Sequence, residues 1–212
     1  MAVYDLEEQE QIDALKAWWR QYGRLVIAAV IAFIVGVAGV QGWLYYKTQL
    51  ANKASDVFAE LEEAVRVGDA KRTGDLSKRL VNDYARTGYA ARGALLAAKA
   101  SVEAGDAKGA EEQLRWAVDN ARDEPVRALA NLRLAALLLD GQRYDDALKV
   151  LSAAHPEPFA ALFADARGDV YVAAGKTPEA RLAYQAALDK LPKSNTYRNV
   201  VEVKRDALGA AK

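Results

Sequence analysis

The sequence contains no cysteine, a single histidine and only five prolines among its 212 residues. Without cysteine there is no disulfide, no thiol nucleophile and no cysteine-ligated zinc site. The one histidine, His155, lies in a proline-containing loop segment and has no second histidine or cysteine with which to share a metal. The 29 basic and 29 acidic residues balance, so no excess positive charge is available for a phosphate backbone. These absences argue against redox, zinc-dependent and nucleic-acid-binding proteins.

Catalytic motifs are missing as well. Gly175-Lys176-Thr177 looks like the end of a phosphate-binding loop, but such a loop needs another glycine at the position of Val170. No sequence typical of a nucleophile elbow occurs. Adjacent carboxylates such as Glu111-Glu112 point in different directions on a helix and do not share a site. We therefore predict a protein that is not an enzyme and that binds no cofactor or metal.

An uncharged stretch of 22 residues, Leu25 to Tyr46, is the most informative feature that the sequence does have. As a helix it is about 33 Å long, enough to cross a hydrocarbon core of about 30 Å. It is longer than the apolar part of a signal peptide, and its best cleavage site, Val37-Ala38-Gly39, lies inside it. We expect a retained anchor rather than a cleaved signal or a buried core helix. Aromatic residues flank it as at two membrane interfaces: Trp18, Trp19 and Tyr22 before it, and Trp43, Tyr45 and Tyr46 at its end.

Charges near the stretch bear on its orientation. Three basic residues, Lys16, Arg20 and Arg24, precede it, and two, Lys47 and Lys53, follow it closely. This small excess favours a cytoplasmic N-terminus and a C-terminal part on the opposite side of the membrane.

Small residues recur on one face of the same stretch. Ala28, Ala32 and Gly36 are spaced by four residues, which permits close approach of a second membrane helix. Glycine and alanine are also common in membrane helices that make no specific contact, so both interpretations stay open.

The part beyond the anchor is rich in alanine and repeats itself. Its three small-residue positions Ala110, Ala147 and Ala180 are 37 and 33 residues apart, on either side of the tetratricopeptide period of about 34 residues. The last unit matches that repeat best; two earlier units match more weakly. The matching residues of the last unit are Gly168, Tyr171, Gly175, Ala180, Tyr184, Ala187 and Pro192.

These patterns predict an all-α protein in which a single N-terminal transmembrane helix is followed by a tetratricopeptide-repeat-like α-solenoid. The last helix would close the array, with a wet face that includes Lys204. The predicted segments are a cytoplasmic stub 1–24, a transmembrane helix 25–46, a linking helix with a degenerate first hairpin 47–88, three repeats 89–195, and a capping helix with tail 196–212.

First helices of stacked hairpins line the concave side of such an array. If this side is an open groove, its apolar middle would bind an extended or helical apolar segment. Alternatively, Leu129, Leu132 and Leu139 are core residues covered by neighbouring helices. The predicted groove residues are Leu95, Lys99 and Val102 in the first unit, Leu129, Leu132, Ala136 and Leu139 in the second, and Asp165, Asp169 and Val172 in the third.

The N-terminal segment Val3-Tyr4-Asp5-Leu6-Glu7-Glu8-Gln9-Glu10-Gln11, then Leu15-Lys16-Ala17-Trp18-Trp19, one span and degenerate repeats, resembles the YfgM family of ancillary Sec translocon subunits. The resemblance implies a bacterial inner-membrane protein whose repeat domain is periplasmic and contacts the SecYEG channel and the membrane-anchored chaperone PpiD. It also implies transfer of emerging, unfolded secretory proteins to chaperones, and it supplies no catalytic residue. An alternative stays open: a regulatory adaptor of an envelope stress response that binds one signalling protein.

Overall fold

The computed structural model describes residues 3–209, with side-chain surroundings from residue 8 onward. Residues 1–2 and 210–212, at the ends of the predicted stub and tail, lie outside the described residues, as do the side chains of 3–7, where the resemblance begins. Within residues 3–209 the regular structure is helical throughout, which confirms the all-α prediction. The helices are α1 Val3–Arg66, α2 Ala70–Asp83, α3 Gly88–Glu103, α4 Ala107–Asn120, α5 Glu124–Asp140, α6 Tyr144–Leu151, a 3-10 turn Glu157–Phe159, α7 Ala160–Ala173, α8 Thr177–Lys190 and α9 Tyr197–Asp206.

The chain divides into two compact units, Met1–Gln49 and Leu50–Lys212. The first unit consists of the N-terminal part of α1, whose apolar side chains point outward: Phe33 is 72% exposed and Leu25 is 67% exposed. A core helix of a water-soluble protein would bury such side chains, and here none of the most apolar window is buried. By length and composition this helix is able to cross a membrane, as the sequence predicts.

The second unit begins with a hairpin between the end of α1 and α2. Gly68 (φ +73°) provides the left-handed turn between them. Asp69 then caps α2 by accepting a 2.9 Å hydrogen bond from the Arg72 amide. This cap places the start of α2 at Ala70, directly after the turn. The apolar residues that meet in this hairpin are Ala54, Val57, Leu61 and Ala64 on α1, Leu76 and Leu80 on α2, and Tyr84 directly after α2.

Three more hairpins follow, formed by α3–α4, α5–α6 and α7–α8. Gly105 (φ +79°) and Gly175 (φ +72°) make the turns of the first and third. In the middle hairpin the left-handed residue is Gln142 (φ +57°), and Gly141 before it has an ordinary φ of −79°. A residue with a side chain tolerates this conformation less well than glycine, so the middle turn is the more strained.

A small residue on the first helix and a large one on the second allow each pair of helices to cross closely. In the last hairpin the pair is Gly168 and Tyr184, and a Cβ on Gly168 would overlap the tyrosine ring. In the α3–α4 and α5–α6 hairpins the corresponding positions hold alanine and leucine, and all four of these residues are at most 2% exposed. The side-chain volumes at the two positions compensate: the larger tyrosine is opposite glycine, and the smaller leucine is opposite alanine. The alanine–leucine pairs are Ala98 with Leu114 and Ala135 with Leu151.

Helix α9 covers the last hairpin. Val201 is fully buried in a cluster with Ala164, Ala180 and Tyr184. Arg198 donates hydrogen bonds to the carbonyls of Leu188 (2.7 Å) and Leu191 (3.1 Å), which satisfies the otherwise free end of α8. The helix occupies most of the segment predicted to close the array.

Candidate partner-binding cleft

A cleft of about 360 Å³ opens between α3 and α5, the first helices of two successive hairpins. Its position is the face on which the sequence predicts the groove. The lining residues are Ala98, Lys99, Val102 and Glu103 from α3, Leu114 from α4, and Arg133, Ala136, Leu137 and Asp140 from α5.

The cleft combines an apolar interior with charges of both signs. Val102 is 49% exposed, and the Lys99 Nζ lies 3.6 Å from the Glu103 carboxylate. Arg133 donates from Nη1 to the Leu95 carbonyl at 3.2 Å, which orders its side chain at the cleft. This arrangement suits binding of an apolar side chain with a polar backbone beside it.

The structure divides the predicted groove residues of the first two units. Lys99, Val102 and Ala136 line the cleft. Leu95, in contrast, is only 5% exposed and belongs to the core, so it has no free surface to offer a partner. Leu95 and Lys99 are one turn apart and share a face of α3, so helical spacing alone does not distinguish the buried residue from the exposed one.

The sequence left open whether the leucines of α5 line a groove or belong to the core, and the structure shows that they differ. Leu132 and Leu139 are partly buried and pack against the main core cluster, whereas Leu129 is 36% exposed and lies outside the cleft lining. Sequence reasoning missed Glu103 and Asp140, although both follow a predicted groove residue by four positions. That helical spacing is the signal that would have found them.

The third unit is closed, which corrects the expectation that Asp165 and Asp169 border an open groove. The Lys204 Nζ of α9 lies 2.8 Å from Asp165 Oδ2 and 2.8 Å from Asp169 Oδ2. The Tyr197 hydroxyl donates to Asp165 Oδ2 at 2.6 Å, and the Tyr184 hydroxyl donates to Asp169 Oδ1 at 2.8 Å. Asp165 is only 4% exposed. Two neighbouring carboxylates therefore hold the closing helix. Of the three groove residues predicted in this unit, Val172, 42% exposed, is the one whose side chain stays open to solvent.

The electrostatics of this closed cluster affect its proton-binding groups. Burial raises the pKa of Tyr184 and of Tyr197 far above the ordinary value, and hydrogen bonds to Asp169 and Asp165 raise each further. Burial acts to lower the pKa of Lys204, but its hydrogen bonds to the two carboxylates outweigh burial, and the pKa is raised. Lys204 thus stays charged between the aspartates.

His155, the single histidine, has a packing role in the structure. Its ring lies against Phe163 with centroids 4.2 Å apart, and its Nδ1 is 3.3 Å from the Pro156 carbonyl. In the part of the chain that the structure describes, no three His, Asp or Glu residues come together as metal ligands do.

Contact between the small residues of α1 and a second membrane helix remains a prediction. Ala28, Ala32 and Gly36 are all exposed on α1. A Cβ added to Gly36 would meet nothing within 4 Å, so space for a second helix exists on that face.

Comparison with known families agrees with this architecture. The family model described as tetratricopeptide repeat-like domain matches residues 16–210. Fold and match together define the class: a tetratricopeptide-repeat-like protein with an apolar helical stretch near its N-terminus.

Curated relatives narrow the class further. A Neisseria gonorrhoeae protein named ancillary SecYEG translocon subunit is 32% identical over 208 residues, covering 96% of this chain and 98% of the relative. Proteins with the same name from Haemophilus influenzae and Escherichia coli are 30% and 28% identical, covering 87% and 89% of this chain and 90% of each relative. The chain belongs to the family of ancillary SecYEG translocon subunits, which confirms the resemblance drawn from its N-terminal segment.

Proposed function

We propose that this protein is a membrane-anchored interaction subunit of the Sec translocon in the bacterial inner membrane. The apolar part of α1 crosses the membrane once, with the N-terminus in the cytoplasm and the hairpins in the periplasm. The name that the relatives share supports association with SecYEG. The outward-facing apolar side chains of α1 support the anchor.

The cleft between α3 and α5 is the observation that carries the binding role. Its volume of about 360 Å³ accepts one or two large apolar side chains of an extended segment. We assign it to a PpiD-like membrane-anchored chaperone or an unfolded secretory client. Tethering beside the channel raises the effective concentration of the cleft, so weak contacts are sufficient.

Placing charge in the cleft tests this function. The full-length double variant Val102→Glu and Ala136→Glu should reduce chaperone and client capture at least tenfold, since two carboxylates would have to be desolvated by an apolar partner. Its fold should be unaffected because both positions are exposed. Leu182→Glu, on a leucine that is 72% exposed on α8, is the matched control and should capture partners normally. Normal capture by the cleft variant, measured by copurification from membranes, would contradict the assignment.

A photocrosslinker at Val102 separates the translocon role from the regulatory one. Crosslinks to many secretory chains and a membrane-anchored chaperone would support the proposal. A single crosslinked signalling protein would favour the stress-response adaptor instead.

Sidedness is open to a direct test because the chain has no native cysteine. Ser194→Cys places a thiol at an exposed position after α8. Labelling by an impermeant reagent added to intact spheroplasts is expected, whereas labelling only after lysis would contradict a periplasmic repeat domain.

A further inference from the structure

The part of α1 that precedes the membrane stretch exposes a second apolar surface, which we call the stub stripe. At about 100° per residue its five members fall within an arc of about 120°. The charged residues from Glu10 to Arg24 all lie outside this arc, and Glu8 ends it on the N-terminal side. The stub stripe consists of Ile12, Leu15, Trp18, Trp19 and Tyr22, which are 40% to 65% exposed.

A helix that leaves the membrane perpendicularly does not account for this surface. Leu15 and Ile12 precede Leu25 by ten and thirteen residues. At a rise of 1.5 Å per residue they lie about 15 and 20 Å beyond the hydrocarbon boundary, whereas the headgroup layer is only about 5–7 Å thick. Interfacial aromatic residues therefore explain at most the end of the stub stripe, and its first half would remain in water.

We propose that the stub lies in the plane of the cytoplasmic leaflet, with the stub stripe immersed at the boundary between headgroups and acyl chains. This proposal rests on the membrane anchor and the sidedness of the proposed function, but not on association with the translocon. Such a position brings all five apolar side chains to a similar depth and leaves the charged face in water.

Two observations favour lipid over a partner protein. The stub stripe is continuous with the membrane stretch, so the bilayer is always within its reach and binding is intramolecular. Lys16, Arg20 and Arg24 follow one another at four-residue intervals on the polar side of the stub. Basic residues so close to a membrane are attracted to anionic lipid headgroups.

The proposal requires one bend, and Gly23 is where we place it. α1 is continuous through this residue, which is the only glycine from residue 8 to Leu25. Glycine is a weak helix former, so opening the helix there costs least. The Trp19 ring lies over Gly23, 3.1 Å from where a Cβ would be, so a side chain at this position would disturb that contact.

Immersion depth can be measured on the purified full-length protein in vesicles of phosphatidylethanolamine and phosphatidylglycerol. Single nitroxide labels on Ile12→Cys and Leu15→Cys are compared with Asp13→Cys and Ala17→Cys on the polar face. We expect the ratio of oxygen to nickel-reagent collision rates to be at least fivefold higher at 12 and 15 than at 13 and 17. The ratio at 12 and 15 should stay below that of Val35→Cys, which lies near the middle of the anchor. Equal, water-like ratios at all four positions would overturn the proposal. Protection that requires added SecYEG would overturn it in favour of a protein partner.

The Val35→Cys label also separates this proposal from the preceding one. A water-exposed label at 35 would contradict the anchor and with it both proposals. A lipid-exposed label at 35 with water-exposed labels at 12 and 15 would overturn the in-plane stub alone. No translocon is present in the vesicles, so loss of translocon binding cannot produce either outcome.

The bend is tested by Gly23→Ala, with Gly36→Ala as the control because a Cβ there meets no atom within 4 Å. Stiffening position 23 should lower the collision ratio at 12 and 15 at least twofold, and the control should leave it unchanged. An unchanged ratio in Gly23→Ala would overturn the assignment of the bend to Gly23.

Discussion

The first and third repeat units use the same helix face in opposite ways. On α3, Lys99 and Val102 remain exposed beside an open cleft. On α7, Asp165 and Asp169 occupy the same face but are joined to Lys204 of the closing helix by two 2.8 Å ion pairs. The comparison shows that a first-helix position stays exposed where no later helix supplies a group that pairs with it.

The ion pairs of the first and third repeat units also differ in burial, and therefore in their expected contribution to stability. The Lys99–Glu103 pair is 3.6 Å apart with both side chains 61% exposed, and such surface pairs contribute about 0–1 kcal/mol. The Lys204–Asp165 pair has side chains 30% and 5% exposed. Removing one member of a buried pair leaves a desolvated charge, which is far more costly. The predictions below test this difference, starting with the largest expected effect.

Lys204→Met should lower the free energy of unfolding by about 2–3 kcal/mol, because Asp165 and Asp169 would face each other without a cation. Lys99→Met, on the exposed side, should change it by less than about 0.5 kcal/mol. Urea unfolding of the full-length protein in detergent, followed by circular dichroism, measures both. Equal effects of the two variants would remove the distinction between the open and the closed ends.

Gly168→Ala should destabilise by about 2 kcal/mol, because its Cβ would overlap the Tyr184 ring and overpacking costs about 1–3 kcal/mol. Adding Tyr184→Leu should recover part of this loss, since the pair then resembles the alanine–leucine pairs of the other hairpins.

The same unfolding assay checks this recovery. Gly74→Ala is the control: a Cβ there meets no atom within 4 Å, and glycine is a poor helix former, so stability should rise slightly. A double variant less stable than Gly168→Ala would show that the hydrogen bond between Tyr184 and Asp169 outweighs the volume compensation.

Alkaline pH should weaken the closed end selectively. The pKa values of Tyr184, Tyr197 and Lys204 are all raised on folding, so the unfolded chain loses these protons first. Their contribution is complete below the unfolded pKa values near 10 and declines above them, by at least about 1 kcal/mol from about pH 9 to 11. Unfolding curves across that range should show a shallower decline for the double variant Tyr184→Phe and Tyr197→Phe. An equal slope would contradict the assignment.

The exposed ion pairs of Arg143, one to α4 of the preceding hairpin and one at the N-terminus of α6, should contribute least to stability. Arg143 lies 2.8 Å from Glu111 Oε2 and 2.6 Å from Asp146 Oδ2, with its side chain 44% exposed. Arg143→Lys should cost at most about 0.5–1 kcal/mol, because a lysine cannot reach both carboxylates as a planar guanidinium does.

The acid side provides a further check on that network. A hydrogen bond from Arg115 lowers the pKa of Glu111 against the opposing effect of burial, and Arg143 lowers it further. The stabilisation by Glu111 is therefore present above its unfolded pKa near 4.3 and is lost as the pH falls through the lowered folded value. Urea unfolding of the wild-type protein at decreasing pH measures this loss. A decrease in the free energy of unfolding larger than that caused by Lys204→Met would contradict the expectation that the exposed network contributes less than the closed third unit.

Local patterns in the sequence were sufficient for the helical class, the apolar stretch and the last repeat unit. An uncharged run of 22 residues, apolar stripes at helical spacing and glycines at turns each depend on neighbours a few positions away. Such short-range preferences act before any tertiary contact forms, which is why they can be read without coordinates.

Only the tertiary structure decided which groove positions are open. The sequence pattern placed Lys204 on a wet face and Asp165 beside a groove, yet the two residues, 39 positions apart, form one buried ion pair. Leu95 likewise entered the core when α5 packed beside α3. Burial and ion pairing depend on which helix, distant in sequence, packs against a given face. Helical periodicity within one segment does not identify that helix.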